Sequence, residues 1–243
     1  MFGNNPIRPP VAGDGQALEV KHIFATLQGE GPLAGTPAVF IRLGGCNLAC
    51  DFCDTEFEGF SSLTLEEILA RVADLSSSAV VIPGEAGIPV RPSEAGDGNK
   101  SGIKLAVITG GEPLRQNIAP LCDALLEMGF EVQIETNGTL WRPLNNKVKV
   151  VCSPKVTNGR YHRVREDVLA RADAIKFIVS ATHSKYRDIA EVGQAEYKIP
   201  VYIQPMDERD EHKNLANRER AAQLAMKTGG KLSLQLHKIL GIE

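Results

Sequence analysis

Ala38-Val39-Phe40-Ile41-Arg42-Leu43-Gly44-Gly45-Cys46-Asn47-Leu48-Ala49-Cys50-Asp51-Phe52-Cys53-Asp54-Thr55 decides how the rest of the chain is read. Its first residues form an apolar run ending in paired glycines, which reads as a strand feeding a loop. The loop carries cysteines at the spacing C-x-x-x-C-x-x-C. Thiolates are soft ligands suited to iron–sulfur clusters, zinc and copper(I). A structural zinc site closes with four ligands, and an electron-transfer [4Fe–4S] cluster also takes four thiolates. This loop offers Cys46, Cys50 and Cys53, with no fourth Cys or His nearby. Such a set leaves one iron of a four-iron cube open to a small molecule, so the spacing points to a cluster that does chemistry.

Outward from the loop, strand-like runs alternate with helical patterns. Upstream, residues 1–17 contain Pro6, Pro9, Pro10, Gly13 and Gly15 and read as a loose lead-in. Glu19 to Leu27 is a first strand, ending in Gln28-Gly29-Glu30-Gly31-Pro32. Downstream, Thr64-Leu65-Glu66-Glu67 has the capping-box pattern, and Ile68, Leu69, Val72 and Leu75 recur at helical spacing. Residues 76–102, with Pro83, Pro89 and Pro92, read as an insertion that holds a short hairpin and is partly mobile. Further strands are expected at 104–108, 130–135, 147–152, 174–179, 201–204 and 231–236. Helices are expected up to Met128, with Gly129 as C-cap, and over 165–171, 183–196 and 214–227.

Polar motifs close these strands: Thr109-Gly110-Gly111-Glu112-Pro113, Thr136-Asn137-Gly138, Ser153-Pro154-Lys155 and Gln204-Pro205-Met206-Asp207. Strands separated by helices indicate a parallel α/β sheet, with its site at the strand C-terminal ends. The expected fold is a partial, open parallel β/α barrel of about six βα units, in a single domain spanning 1–243.

With 243 residues, 43% of them hydrophobic, and a net charge of −3, the chain can bury a sizeable core and lacks the basic excess of a nucleic-acid binder. No apolar run reaches the roughly 20 residues of a membrane span, and the Gly/Pro-rich start is not a signal peptide. The 5 cysteines are odd in number, which argues against a disulfide framework and for the reducing cytoplasm. Cys122, among Leu121, Leu125 and Leu126, reads as core, and Cys152 as the buried end of a strand. Arg42 either points outward over a packed stem or faces the barrel interior to await an anion. Thr55, taken alone, reads as a helix or turn cap.

The cysteine loop followed one βα unit later by Gly110-Gly111-Glu112-Pro113 resembles the radical S-adenosylmethionine superfamily. The resemblance implies that the methionine end of S-adenosylmethionine chelates the open iron, with glycines letting the backbone approach closely. Electron transfer from the reduced cluster would then yield a 5′-deoxyadenosyl radical. Leu27-Gln28-Gly29-Glu30-Gly31, Asp54-Thr55, Ser153-Pro154-Lys155, Gln204-Pro205-Met206-Asp207 and Leu236-His237-Lys238 extend the likeness over nearly the whole chain, to the 7-carboxy-7-deazaguanine synthases. That family contracts the ring of 6-carboxy-5,6,7,8-tetrahydropterin to 7-carboxy-7-deazaguanine with loss of ammonia, in queuosine-type 7-deazapurine biosynthesis. It is typically homodimeric and requires magnesium.

Carried across, the resemblance makes Cys46, Cys50 and Cys53 cluster ligands and Thr55 the Mg²⁺ ligand. Phe52, Cys53, Asp54, Gly111, Glu112, Ser153, Pro154, Lys155, Gln204, Pro205, Met206 and Asp207 become S-adenosylmethionine contacts. Leu27, Gln28, Gly29, Arg42 and Thr109 become substrate contacts, with Glu30, His237 and Glu243 in the same pocket. Arg42 then meets the pterin carboxylate, which guanidinium binds bidentately. The radical would take hydrogen from the substrate's C6, and the carbon radical would rearrange with ring contraction and recover the hydrogen. An external donor of flavodoxin or ferredoxin type would supply the electron, and neither nucleic acid nor membrane is an implied partner.

Two other readings compete. An activating enzyme of the same superfamily, installing a glycyl radical on a partner protein, would share the cysteines and G-G-E-P but not Gln28-Gly29-Glu30 with Thr55. A non-catalytic zinc thiolate module would be colourless and free of iron.

Overall fold

The computed structural model describes residues 5–77, 80–81, 89–90, 102–157 and 159–242. Strands β1 (Ala17–Leu27) and β2 (Pro37–Leu43) form an antiparallel hairpin, because the segment between them is too short to hold a crossover helix. β3 (Ser61–Thr64) pairs antiparallel with β1. Then follow α1 (Leu65–Ser77), the two-stranded β4 (Val80–Val81) and β5 (Pro89–Val90), β6 (Leu105–Gly110) and α2 (Ala119–Glu127). The chain continues through β7 (Glu131–Thr136), β8 (Lys149–Cys152), α3 (Glu166–Leu169), β9 (Ala174–Val179) and β10 (Val201–Pro205). It ends with α4 (Glu211–Thr228), β11 (Lys231–Leu232) and α5 (Leu236–Leu240). From β2 onward the neighbours β2-β6-β7-β8-β9-β10-β11 are all parallel, and the sheet does not close. The expected open barrel is therefore present, with an antiparallel margin that the parallel reading lacked.

Strand periodicity separates an inner from an outer face. On β2, Val39, Ile41 and Leu43 join the outer core with α1 and α2, while Phe40 and Arg42 turn inward. A bulge between Val20 and His22 reverses the faces of β1. Leu18 and Val20 pack outward before it, and Phe24 and Thr26 line the interior after it. Inside the barrel, small and apolar residues (Ala38, Leu105, Val107, Val151, Ala174, Tyr202) fill the lower layer. One step along the same strands come Thr109, Ser153, Lys176 and Gln204, and on β2 Phe40 followed by Arg42. Apart from Lys176, midway along β9, this polar layer sits at the strands' C-terminal ends, on an apolar floor.

Thr64 and Glu67 form the capping box: Glu67 N donates to Thr64 Oγ1 (3.2 Å) and Thr64 N to Glu67 Oε2 (2.7 Å). Gly129, in the left-handed region at φ 84°, follows α2 as expected.

Three expectations change. Residues 183–196 form only a short turn at Ser184–Tyr186. There, Gln194 Oε1 accepts from Val192 N (2.7 Å) and Glu191 Oε1 from Gly193 N (2.7 Å), so side chains replace the helical ladder. The last strand stops at Leu232, because Leu236 N donates to Gly29 O (3.1 Å) and the chain leaves the sheet to form α5. The lead-in, from residue 5 on, is pinned rather than loose: Arg8 N donates to Cys46 O and Val11 N to Arg115 O, both at 2.8 Å. Most of the 76–102 insertion, with its expected mobility, lies outside the described residues, as does Glu243; the β4–β5 pair matches the expected hairpin. Among the described residues, no helix is long and apolar enough to cross a membrane.

Candidate active site

A cavity of about 240 Å³ opens above the apolar floor, bounded by the ends of β1, β2 and β6–β10, the cysteine loop and the start of α5. The loop owes its shape to close backbone packing. Gly111 lies so near Gly45 that a Cβ would overlap the Gly45 carbonyl, and Glu112 N donates to that carbonyl (3.1 Å). Arg115, nearly fully buried, donates to Gly44 O (3.1 Å). Asn5 fastens the far end, donating to Thr55 O (2.8 Å) and accepting from Phe57 N (2.9 Å).

Cys46, Cys50 and Cys53 all line this cavity. Burial pushes the Cys46 thiol up to about 11 and raises Cys50 and Cys53 too, so metal binding would displace their protons. Among the described residues, no three His, Cys, Asp or Glu side chains converge tightly enough for a single metal ion. A tetrahedral zinc site needs such convergence, whereas a four-iron cube spreads its thiolates over separate irons. Three soft thiolates on one cavity wall are a donor set of the kind an iron–sulfur cluster takes.

Around the cysteines stand Phe52, Asp54, Thr55, Thr109, Gly111, Ser153, Lys155, Gln204, Pro205, Met206 and Asp207, all on the cavity wall. Lys155 Nζ donates to Ser153 O and Oγ, both at 2.6 Å, and burial pushes its ammonium down. Arg42 faces inward: its Nη1 donates to Thr55 Oγ1 (3.1 Å) and its guanidinium carbon lies 5.5 Å from the Phe24 ring centre. Thr55 Oγ1 in turn donates to Asp54 Oδ1 (3.2 Å). Leu27, Gln28, Glu30 and His237 complete the wall.

Glu112, Pro154 and Gly29 stand behind it. The fully buried Glu112 carboxylate accepts from Leu114 N (3.0 Å), Thr136 Oγ1 (2.7 Å) and Asn137 N (2.7 Å), clamping the end of β6 to that of β7. Burial pushes its carboxyl above the usual range. Gly29 makes room for His237, whose ring a Cβ there would strike. Cys152 points outward into the core beneath α3, and burial raises its thiol to about 12.

Several wall residues carry no sequence motif. Lys176 pairs with Glu30 and with Glu135 (2.7 Å), and Gln235 Nε2 donates to Glu30 Oε1 (2.8 Å). Burial would raise the Glu30 carboxyl, but Lys176 and Gln235 hold it at about 2. Lys238, in the quoted tail but given no role there, bridges Asp54 (2.6 Å) and Asp207 (2.8 Å). A lysine inside the apolar run Ala174 to Val179 is the signal that could have found Lys176.

No protein-family model matches the chain. The chain is 50% identical to a 7-carboxy-7-deazaguanine synthase from Rickettsia prowazekii, over all of this chain and 96% of that protein. A second, from Rhodospirillum rubrum, is 39% identical over the full length of both. The chain belongs to the 7-carboxy-7-deazaguanine synthase family. The crystal structure of QueE from Escherichia coli has the same fold, with a TM-score of 0.61 and 26% identity over 90% of this chain and 94% of that one. In this member of the family, the residues linking α5 to the cavity lie far from the cysteines in sequence and complete the same wall.

Proposed function

We propose that this chain is itself a 7-carboxy-7-deazaguanine synthase, converting 6-carboxy-5,6,7,8-tetrahydropterin to 7-carboxy-7-deazaguanine with release of ammonia. The observation that carries the reading is one cavity walled by the cysteine trio, the Arg42–Thr55 pair and the Gln28, Glu30 and His237 group. Cys46, Cys50 and Cys53 would hold a [4Fe–4S] cluster, with S-adenosylmethionine against Phe52, Asp54, Gly111, Lys155 and the 204–207 segment. When bound, these groups supply one-electron chemistry able to remove hydrogen from carbon.

The chain's own residues bind and orient. Arg42 takes the substrate carboxylate through its fork of N–H donors. The Thr55 hydroxyl offers Mg²⁺ a protein oxygen, the remaining ligands coming from substrate carboxylate and water. An ion so held would fix the carboxylate and polarise the adjoining carbon. Phe24 and Phe40, with ring centres 5.5 Å apart, give the pterin an apolar face. The reading includes a single-domain, homodimeric, cytoplasmic enzyme of queuosine-type 7-deazapurine biosynthesis, reduced by a flavodoxin- or ferredoxin-like donor.

The test is an anaerobic assay of iron-reconstituted protein with reductant, S-adenosylmethionine, Mg²⁺ and 6-carboxytetrahydropterin, read by mass spectrometry. Formation of 7-carboxy-7-deazaguanine is expected. Cleavage to 5′-deoxyadenosine alone would keep the radical chemistry and sink the substrate. Neither product, from protein that holds its cluster, would overturn the reading.

A further inference from the structure

Lys176 lies in the apolar strand β9 with 4% of its side chain exposed, and the chemistry above does not use it. Its ammonium is shared by two carboxylates from distant segments, Glu30 after β1 and Glu135 near the end of β7 (2.7 Å). Both carboxylates line the cavity. Their other oxygens are also directed: Gln235 Nε2 donates to Glu30 Oε1 (2.8 Å) and Gln28 Nε2 to Glu135 Oε1 (3.1 Å). Arg42, Asp54 and His237 line the same cavity beside the cluster.

Two carboxylates against one ammonium leave one negative charge in excess. Without the cation, two neighbouring carboxylates in a partly buried site cannot both remain ionised. A protonated carboxyl presents fewer acceptor sites than a carboxylate. The lysine therefore controls whether this part of the cavity wall accepts hydrogen bonds.

We propose that Lys176 is a positioning residue that holds the carboxylates of Glu30 and Glu135 together and aimed into the cavity, where the pair selects a ring edge rich in N–H donors. The proposal rests on the pterin reading above, since a 2-amino-4-oxo ring presents such an edge.

The experiment compares parent, Lys176→Gln and Lys176→Arg holoenzymes for kcat and KM toward 6-carboxytetrahydropterin between pH 6 and 9. The glutamine variant is expected to raise KM about tenfold at the acid end, with kcat within about threefold. Its KM should fall as pH rises, because Glu30, no longer held ionised by Lys176, then ionises without help. The His237 imidazole feels the Glu30 charge, so the same profiles are taken in a His237→Gln background, where a surviving difference between parent and Lys176→Gln reports the carboxylates. Arginine should restore the parent profile.

Unchanged KM in a folded Lys176→Gln enzyme, or kcat and KM altered together at every pH, would overturn the proposal and leave the pterin reading standing. No turnover of the pterin by the parent would overturn both. If Lys176→Gln does not fold, Lys176→Gln/Glu30→Gln carries the test, since one carboxylate then has no neighbour to repel it. Raised KM that no longer varies with pH supports the proposal, and parent-like KM overturns it.

Discussion

At the scale of single residues, the Thr55 hydroxyl stands between a guanidinium and a carboxylate, in contact with Arg42 Nη1 and Asp54 Oδ1. On the proposed function, Thr55→Ala should cut turnover about tenfold or more and remove the response to Mg²⁺, with S-adenosylmethionine binding retained. Full turnover with unchanged Mg²⁺ dependence would refute the role. Glu30 gives a second prediction, on stability. Its folded carboxyl titrates at about 2 against an ordinary 4.5, so it contributes stability that is present above about pH 4.5 and lost as pH falls toward 2. Circular dichroism across pH 5 to 2 should show a shallower acid limb for Glu30→Gln than for the parent. Arg42 and Thr55 were singled out only through the family resemblance, since alone Arg42 reads either way and Thr55 reads as a cap. Glu135 was not, since nothing near it in sequence marks it as Lys176's partner.

Among the elements, α5 repays attention because none of its residues is buried, so packing does not explain its position. Polar contacts do. Leu236 N reaches Gly29 O, and Lys238 joins Asp54 of the cysteine loop to Asp207 after β10. The attraction of Lys238 outlasts the opposing effect of burial and holds Asp207 at about 2. These groups are partly exposed, so Lys238→Met should change global stability by no more than about 1 kcal/mol. It should nevertheless weaken S-adenosylmethionine binding several-fold by titration calorimetry on the cluster-loaded enzyme, because two carboxylates would then face each other unneutralised. Equal affinity would assign Lys238 to the surface alone. Helix starts such as the Thr64–Glu67 box were legible from local chemistry. The 183–196 segment was misread because its apolar spacing suits a helix, while Glu191 and Gln194 capture the backbone instead.

For the whole molecule, the open side of the barrel is where the chain's two halves meet. Residues 233–237 bond to the Gly29–Gly31 turn, with Gly31 N donating to Ser233 Oγ (2.9 Å). The barrel core lies elsewhere, in clusters under α1, α2, α3 and α4. A chain ending at Ser233 should therefore still melt cooperatively, but lose the His237 and Gln235 wall and with it pterin binding. Retained binding by the shortened chain would place the substrate away from α5.

What the sequence determined by itself was local: the strand periods, the cysteine spacing, the glycines that admit the loop, and the polar motifs at strand ends. These follow from backbone sterics, side-chain period and ligand chemistry, which act over a few residues. Only the tertiary structure decided the bulge that turns Phe24 and Thr26 inward, the antiparallel margin, and the charge groups Lys176–Glu30–Glu135 and Lys238–Asp54–Asp207. Their members lie far apart in sequence, and a buried or shared charge finds its partner only when the sheet curls and brings the strand ends around one cavity.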